Sequence, residues 1–300
     1  MPGSHIRISL PRQTLELMDE RGELLRRYAV STAVNGAGET QGSNCTPRGR
    51  HVVRAKIGVG AEPNTVFRGR RPTGEIWTEQ LGNEFPGRDW ILSRILWLSG
   101  KEPGRNRLGN VDTMRRYIYL HGSPDTATMG SPGSIGCVRM RNQDIIELCD
   151  LVPPYTPVDI VEFGIEAGHW STMAAQARAV RHTVFVEEQR VPPELEMDSH
   201  DAESRHVLAC DAEGRAIGTG RLLPDGHIGR MAVLAEWRGR GVGRALIERL
   251  LEEAKHMGMA PLALNAQTSA IGFYRRFGFA EDGPEFIEAG LPHQTMRRAA

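Results

Sequence analysis

The stretch "HGSPDTATMGSPGSIGCVRM", His121 to Met140, decides how the chain is read. It sets one cysteine among glycines and prolines, behind a histidine. A structural cysteine normally sits in an apolar run; this one sits in a segment whose backbone is built to turn. Attack on a carbonyl needs a thiolate, a base and donors for the oxyanion. A free thiol has a pKa of about 8.5, so an adjacent histidine is needed to raise its reactive fraction. Glycines beside the sulfur let backbone N–H groups face the developing charge. His121 is the candidate base, Cys137 the nucleophile, and the amides around Gly136 and Cys137 the oxyanion donors. This reading requires sulfur and imidazole within proton-sharing reach. On spacing alone, a buried small thiol beside a turn histidine explains the segment equally well.

The totals widen the frame. A chain of 300 residues is more than one compact core needs, so two domains are expected. Lys plus Arg equals Asp plus Glu at 37 each, which points away from nucleic acid or an anionic membrane as the main partner. The opening "MPGSHIRISLPRQ" has no apolar core of signal-peptide length, and the longest apolar patch, "DWILSRILWLSG", is broken by Ser93 and Arg94. A cytoplasmic location is the expectation. Cysteines at 45, 137, 149 and 210 form no CxxC pair, so neither a metal cage nor a redox pair is expected. Arg68, Arg70 and Arg71, and Arg105 with Arg107, read as solvated surface.

The two halves follow different grammars. Up to about residue 160, short runs such as "IRISL", "TLELMD" and "RRYAVSTAV" alternate between turn signals and predict a mostly β domain. "RRYIYLHG" is a strand delivering His121 at its end. A helix follows, with Asn142 as its cap and Ile145, Ile146 and Cys149 on one face. From about Val161, strands ("HVLACD", "AIGTGRLL", "HIGRMAVL", "PLALNA") mix with helices ("STMAAQARAVRHTVF" and the amphipathic "RALIERLLEEAKHMG"), which predicts an α/β layer. The domains expected are 1–162 and 163–300.

The motif from His121 to Met140, with the upstream "ISLPRQTLELMDERGELLRRYAVSTAVNG" and "CTPRGRHVV", resembles the L,D-transpeptidase (YkuD-like) catalytic family over residues 5–160. The resemblance implies a mostly β catalytic domain. Its cysteine attacks the bond between an L-centre and a D-residue in peptidoglycan stem peptides. Cys137 would carry the thioester and His121 would be the base. The Gly122 carbonyl would orient the imidazole, Ser134 would support the turn, and Arg139 would hold the turn or a substrate carboxylate. Many members carry a second histidine directly before the Gly-Cys pair; here Ile135 stands there, so no role for a second imidazole carries over.

In the second half, "EWRGRGVGRALIERLL" places a glycine loop directly after a strand and before a helix. Glycines turn N–H groups inward and the helix N-terminus adds a positive dipole, together a pyrophosphate cradle. It is neither a dinucleotide fingerprint in a βαβ unit nor a P-loop. With "VFVEEQRVP" and "LNAQTSAIGFYRRFGF" it resembles the Gcn5-related N-acetyltransferase (GNAT) superfamily over residues 165–300. That resemblance implies acetyl-CoA as cosubstrate. Met231, Ala232 and Val233 would present backbone groups to its pantetheine arm. Arg238, Gly239, Arg240, Gly241, Val242, Gly243 and Arg244 would hold the pyrophosphate. Asn265 would meet the cofactor and Tyr274 would be the general acid. Glu187, Glu188, Asp198 and His206 are bases by type, with no ground to choose among them, and the acceptor amine is not legible.

The combined expectation is a mostly β transpeptidase fold followed by an α/β acetyltransferase fold in a bifunctional acyl transferase. The absent signal segment favours hydrolysis of recovered stem peptides over cross-linking. Two other readings stand beside it: one domain is a regulatory acetyl-CoA or muropeptide sensor, or the first half is a non-catalytic peptide-binding module.

Overall fold

The computed structural model describes residues 3–196 and 198–299. The chain divides after Glu162 into two compact units, with the turn Glu20–Leu24 grouped with the second. The first unit contains β1 (His5–Ser9), β2 (Thr14–Met18), β3 (Leu24–Ala29), β4 (Gly49–Ile57), β5 (Thr65–Arg68), β6 (Arg71–Ile76), α1 (Glu79–Glu84), β7 (Ile91–Gly100), β8 (Tyr119–Ser123), β9 (Val138–Arg141), α2 (Asn142–Leu151) and β10 (Pro157–Val161). All ten strands join one sheet, so this half is mostly β, as its alternating runs predict. Ile6 and Ile8 of β1 face the core opposite Leu17 and Leu15 of β2. Polar residues alternate with them, and Arg7 is tied to Glu16 at 2.6 Å.

The strand that organises this unit is β7. It pairs with β4 along one edge and with β8 along the other. The sequence reading saw in it only an apolar patch interrupted by Ser93 and Arg94. Those two residues are a bulge: the register with β8 shifts between Leu92 and Ile95, and Ser93 has φ 63°. β8 is buried along its whole length and pairs in parallel with β9, Leu120 opposite Val138 and His121 opposite Arg139. Asn142 does not cap α2, which has no side-chain cap. It is the helix's first residue and is buried. Its amide accepts from Ser93 Oγ (2.6 Å) and donates to Asn64 Oδ1 (2.7 Å) and the Ser123 carbonyl (3.0 Å). A buried amide with three partners holds β7 and β8 in place, a stronger demand than a solvated cap.

The second unit contains β11 (Gly164–His169), α3 (Trp170–Arg181), α4 (Pro193–Glu196), β12 (Arg205–Cys210), β13 (Ala216–Leu222), β14 (His227–Val233), α5 (Val242–His256), β15 (Leu262–Gln267), α6 (Ile271–Tyr274), β16 (Ala280–Glu288) and β17 (Leu291–Arg298). The seven strands run in the order β11-β12-β13-β14-β15-β17-β16. With α3 and α5 packed on the sheet, this half is α/β, as expected. α3 stops at Arg181 and passes into a π-helical turn, His182–Glu188. At that junction Arg181 is 1% exposed. It ion-pairs with Glu196 and with Asp201 at 2.8 Å, and Asp201 also pairs with Arg221.

His51 gives the first unit an acid-sensitive point. Its imidazole is buried between the Gly49 carbonyl (2.9 Å) and Thr113 Oγ1 (3.0 Å), and burial lowers its pKa to about 4. The unfolded chain therefore binds a proton that the folded unit excludes between about pH 6.5 and 4. Stability contributed by the neutral ring is fully present above 6.5 and is lost as pH falls towards 4. Denaturant titrations should show a loss of up to about 3 kcal/mol across that window, and His51→Gln should flatten that component.

Candidate active sites

Parallel pairing of β8 and β9 puts Tyr119, His121, Cys137 and Arg139 on one face of the sheet, because paired residues in register share a face and side chains alternate. His121 is 1% exposed. Its Nδ1 lies 2.8 Å from the Gly122 carbonyl, an acceptor, so Nδ1 carries the proton and Nε2 the lone pair. Nε2 is buried without a hydrogen-bond partner. Burial, opposed by the charge of Asp89, lowers the imidazole's pKa, so the ring is neutral at pH 7. Gly122 is obligatory: a Cβ there would stand 2.4 Å from Asn142 Oδ1 and 2.6 Å from the Leu92 carbonyl.

Cys137 is half-buried beside Phe67, Ile95, Trp97 and Tyr119. Its sulfur accepts from the Tyr119 N–H at 3.3 Å and donates to the Tyr117 carbonyl at 3.4 Å, rather than to the imidazole. Burial pushes the thiol up to about 12, with the Tyr119 N–H acting against it. The resting pair is thus a neutral thiol and a neutral imidazole. Ser134, buried, accepts from Gly136 N–H (3.2 Å) and donates to the Cys137 carbonyl (2.5 Å). Gly136 has φ 135°, which a β-substituted residue adopts only under strain. Arg139 donates to the Gly133 carbonyl (2.7 Å) and to Asp89 (2.6 Å). Ile135 is 63% exposed.

Sequence reasoning missed two charges here. Asp89 sits within electrostatic reach of both His121 and Cys137. Arg116 donates to the carbonyls of Gly38, Glu39 and Cys45 and to Ser43 Oγ, all neutral acceptors, and its charge favours the Cys137 thiolate. Neither residue belongs to the glycine segment, so nothing local in the sequence marks them. Cys45 bonds to Asn35 and Ser43 carbonyls. Cys149 lies in the core and Cys210 packs against α3. Among the described residues no cluster of three metal-ligating side chains occurs.

In the second unit, the parallel pairing of β14 with β15 covers only His227 opposite Ala263 and Ile228 opposite Leu264. Beyond that point their backbones are unpaired with each other. β14 carries a bulge at Arg230, φ 53°, opposite Gly220. A cavity of about 720 Å³ opens there and is lined by Met231, Asn265, Tyr274, His227 and Asp198 among others. Ala232 is buried against Val180 and Val184. Tyr274 is half-buried with Phe273 and Phe279 around its ring, and burial pushes its hydroxyl up to about 12. The Asn265 amide lies 3.2 Å from both Glu288 and Thr295 Oγ1.

The glycine loop ends at Gly241, φ 88°, the cap of α5, which has no side-chain cap. The N–H groups of Val242, Gly243 and Arg244 thus form an uncapped first turn. Gly239 is also left-handed at φ 73°, and a Cβ at Gly239 or Gly241 would meet nothing within 4 Å. Conformation rather than space demands glycine there. The arginines are engaged within the chain: Arg238 is bidentate to Glu188 at 2.6 Å, Arg240 lies over Trp237 at 5.2 Å, and Arg244 bonds Glu248 at 2.8 Å. Of the bases by type, Glu187 pairs with His182, Glu188 with Arg238, and His206 is buried on the Asp201 carbonyl. Asp198 is paired with Arg221 and Arg230, and is held at about 2 although burial opposes this. His227, which sequence reasoning passed over, lines the cavity, and burial lowers its pKa.

Comparison with known proteins covers both units. The L,D-transpeptidase catalytic domain model matches residues 3–160, and the acetyltransferase (GNAT) domain model matches residues 169–300. An uncharacterized N-acetyltransferase of Bacillus subtilis (strain 168), YjcF, is 39% identical over 123 residues, covering 40% of this chain and 87% of that protein. Among solved structures, an acyl-CoA N-acyltransferase from Pseudomonas aeruginosa is 30% identical, covers 46% of this chain and 99% of its own, and has a TM-score of 0.43. An L,D-transpeptidase from Mycobacterium smegmatis is 15% identical, covers 53% and 58%, and has a TM-score of 0.31. The chain belongs to the L,D-transpeptidase catalytic-domain family through its first half and to the GNAT acetyltransferase family through its second.

Proposed function

We propose that residues 1–162 form a cysteine-dependent L,D-carboxypeptidase or transpeptidase acting on peptidoglycan stem peptides. We propose further that residues 163–300 transfer acetyl from acetyl-CoA to an amine. The observation that carries the first assignment is the His121 imidazole, buried with its tautomer fixed by the Gly122 carbonyl and its Nε2 lone pair unpartnered, on the same sheet face as Cys137. A buried acceptor with no donor costs about 1–3 kcal/mol, which favours a catalytic reason for it.

In this reading Cys137 attacks as a neutral thiol. The sulfur would leave the Tyr117 carbonyl for Nε2, which takes the proton as the S–C bond forms. The Cys137 N–H meets the oxyanion, since the Gly136 N–H is already held by Ser134. The peptide C–N bond then breaks, and the imidazolium returns its proton to the leaving D-residue amine. Water, or a second amine, resolves the thioester with His121 again as base. Union with an acetyl-CoA-dependent half supports a cytoplasmic setting, where soluble stem peptides are hydrolysed rather than cross-linked.

In the second unit the uncapped first turn of α5 fits a pyrophosphate: orphan donors and a positive dipole face an open, glycine-lined corner. Acetyl-CoA, when bound, supplies an activated acetyl thioester. Met231, Ala232, Val233 and Asn265 would flank its arm, and Gly239, Gly241, Val242 and Gly243 would hold its phosphates. Arg238, Arg240 and Arg244 would frame that loop. His227, kept neutral by burial, would take the amine proton, and Tyr274, kept protonated, would supply one to the departing sulfur.

Incubation with a soluble tetrapeptide stem should release free D-alanine, and Cys137→Ala should abolish the release. Cross-linked dimer without tripeptide would exclude the hydrolytic form. Because both resting groups are neutral, kcat/KM should stay flat from about pH 6.5 to 9 and fall only below the usual histidine range. A bell with an alkaline limb near pH 8 would indicate a preformed thiolate–imidazolium pair instead. Calorimetry should detect acetyl-CoA binding, weakened at least about tenfold by Gly241→Glu, which sets a carboxylate and a strained φ where phosphate docks.

A further inference from the structure

From sequence alone the turn between β5 and β6 reads as solvated arginines. Its structure is more specific. Arg68 pairs with Arg71, so Gly69 and Arg70 form a two-residue hairpin loop, and both have positive φ, 55° and 68°. Such loops favour glycine at the second place. An arginine there sits in a left-handed conformation that costs roughly 1–2 kcal/mol. The side chain has a definite seat. Its guanidinium carbon lies 4.6 Å from the centre of the Trp97 ring and 4.7 Å from that of Tyr117, and Nη1 donates to the Tyr119 hydroxyl at 3.1 Å.

These three aromatic residues also surround the nucleophile. Tyr119 N–H and the Tyr117 carbonyl are the two partners of the Cys137 sulfur, and Trp97 packs in the same cluster. Among the described residues, no carboxylate lies within ion-pair distance of Arg70, and the Tyr117 ring beside it is 52% exposed. A guanidinium has five N–H donors in a rigid plane. Here one is spent on a phenol, two rings lie against the guanidinium from adjoining sides, and the positive charge is left without an anion. A guanidinium anchored by one phenol bond and two ring contacts keeps its remaining N–H groups for a planar, bidentate acceptor, which a carboxylate matches.

We propose that Arg70 is a specificity-determining residue for the Cys137 site, binding a free carboxylate on the peptide close to the carbonyl that the sulfur attacks. The site thereby selects carboxylate-bearing peptides over their carboxamides. This rests on Cys137 being a reactive nucleophile but not on which peptide bond is cleaved. The test separates the two by using alkylating probes that need no turnover. Iodoacetate and iodoacetamide differ only in carboxylate against amide, and peptide mapping reads their rates at Cys137 apart from Cys45.

In the protein as it stands, the iodoacetate-to-iodoacetamide rate ratio at Cys137 should exceed that of a free thiol. Arg70→Gly removes the guanidinium and suits the backbone's positive φ, so the hairpin is kept. It should lower the ratio by about fivefold, the worth of one partly exposed ion pair. Arg70→Lys keeps charge without the planar seat and should fall between. With stem tetrapeptides, Arg70→Gly should raise KM for the carboxylate form alone and leave kcat and the carboxamide form unchanged. An unchanged alkylation ratio in Arg70→Gly overturns the proposal. A lowered ratio without any D-alanine release would retain Arg70's role and reject the stem-peptide reading.

Discussion

The parallel pairing of β8 with β9 is the constraint on which the first unit's chemistry depends. Parallel neighbours cannot be joined by a tight turn; the chain must leave the sheet and return to the same end. Here the return path is the glycine-rich segment 124–137, with no helix in it. Its backbone groups are satisfied by stitching to an earlier segment: Gly130 N–H donates to Val30, Gly133 and Ser134 N–H to Thr32, and the Ser134 carbonyl accepts from Val34. Thr46 Oγ1 closes the last turn on the Gly136 carbonyl at 3.0 Å. The loop is therefore a fixed support. It delivers Cys137 one step before the strand and leaves its side chain on the face that already carries His121.

Burial acts on both units in the same way and to different ends. In the first, it keeps an imidazole neutral and a thiol protonated. In the second, it lowers the pKa of His227 and raises that of Tyr274, two groups that line one cavity. The second unit also holds a group of paired buried charges. Arg181, Glu196, Asp201, Arg221 and Asp198 form a connected set beneath that cavity. Removing one member would leave its partner as an uncompensated buried charge, which is why this set reads as scaffold for the cavity wall and not as the catalytic base.

What was legible in the sequence was chemistry set in unusual backbone. A thiol among glycines, and a glycine loop between a strand and an amphipathic helix, both stand out because their residues conflict with ordinary core packing. The α/β grammar of the second half was legible from period alone. β7 was not, because Ser93 and Arg94 break its alternation; the break is the bulge itself, and only pairing with β8 reveals that the strand continues through it. Asn142 looked like a cap because the sequence shows helix starts and not burial. That His227 and not His206 lines the cavity was equally hidden, since both sit at strand starts and the sequence does not show which strand borders the cavity.

The arginines mark the limit of reading charge from composition. Three near the glycine loop were expected to hold phosphate, yet each already has a partner in Glu188, Trp237 or Glu248. A phosphate entering there would have to compete with a bidentate carboxylate for Arg238, whereas the first-turn N–H groups of α5 have no side-chain competitor. Backbone donors cannot rotate away and need no reorganisation, so they are the stronger claim on the anion. The opposite holds at the β5–β6 turn. There an arginine that the sequence marks only as solvated lies against two rings with its charge unmatched, held in place at the cost of a strained φ. Whether a cation serves a ligand is thus decided by which of its neighbours are anionic, and that is a property of the fold.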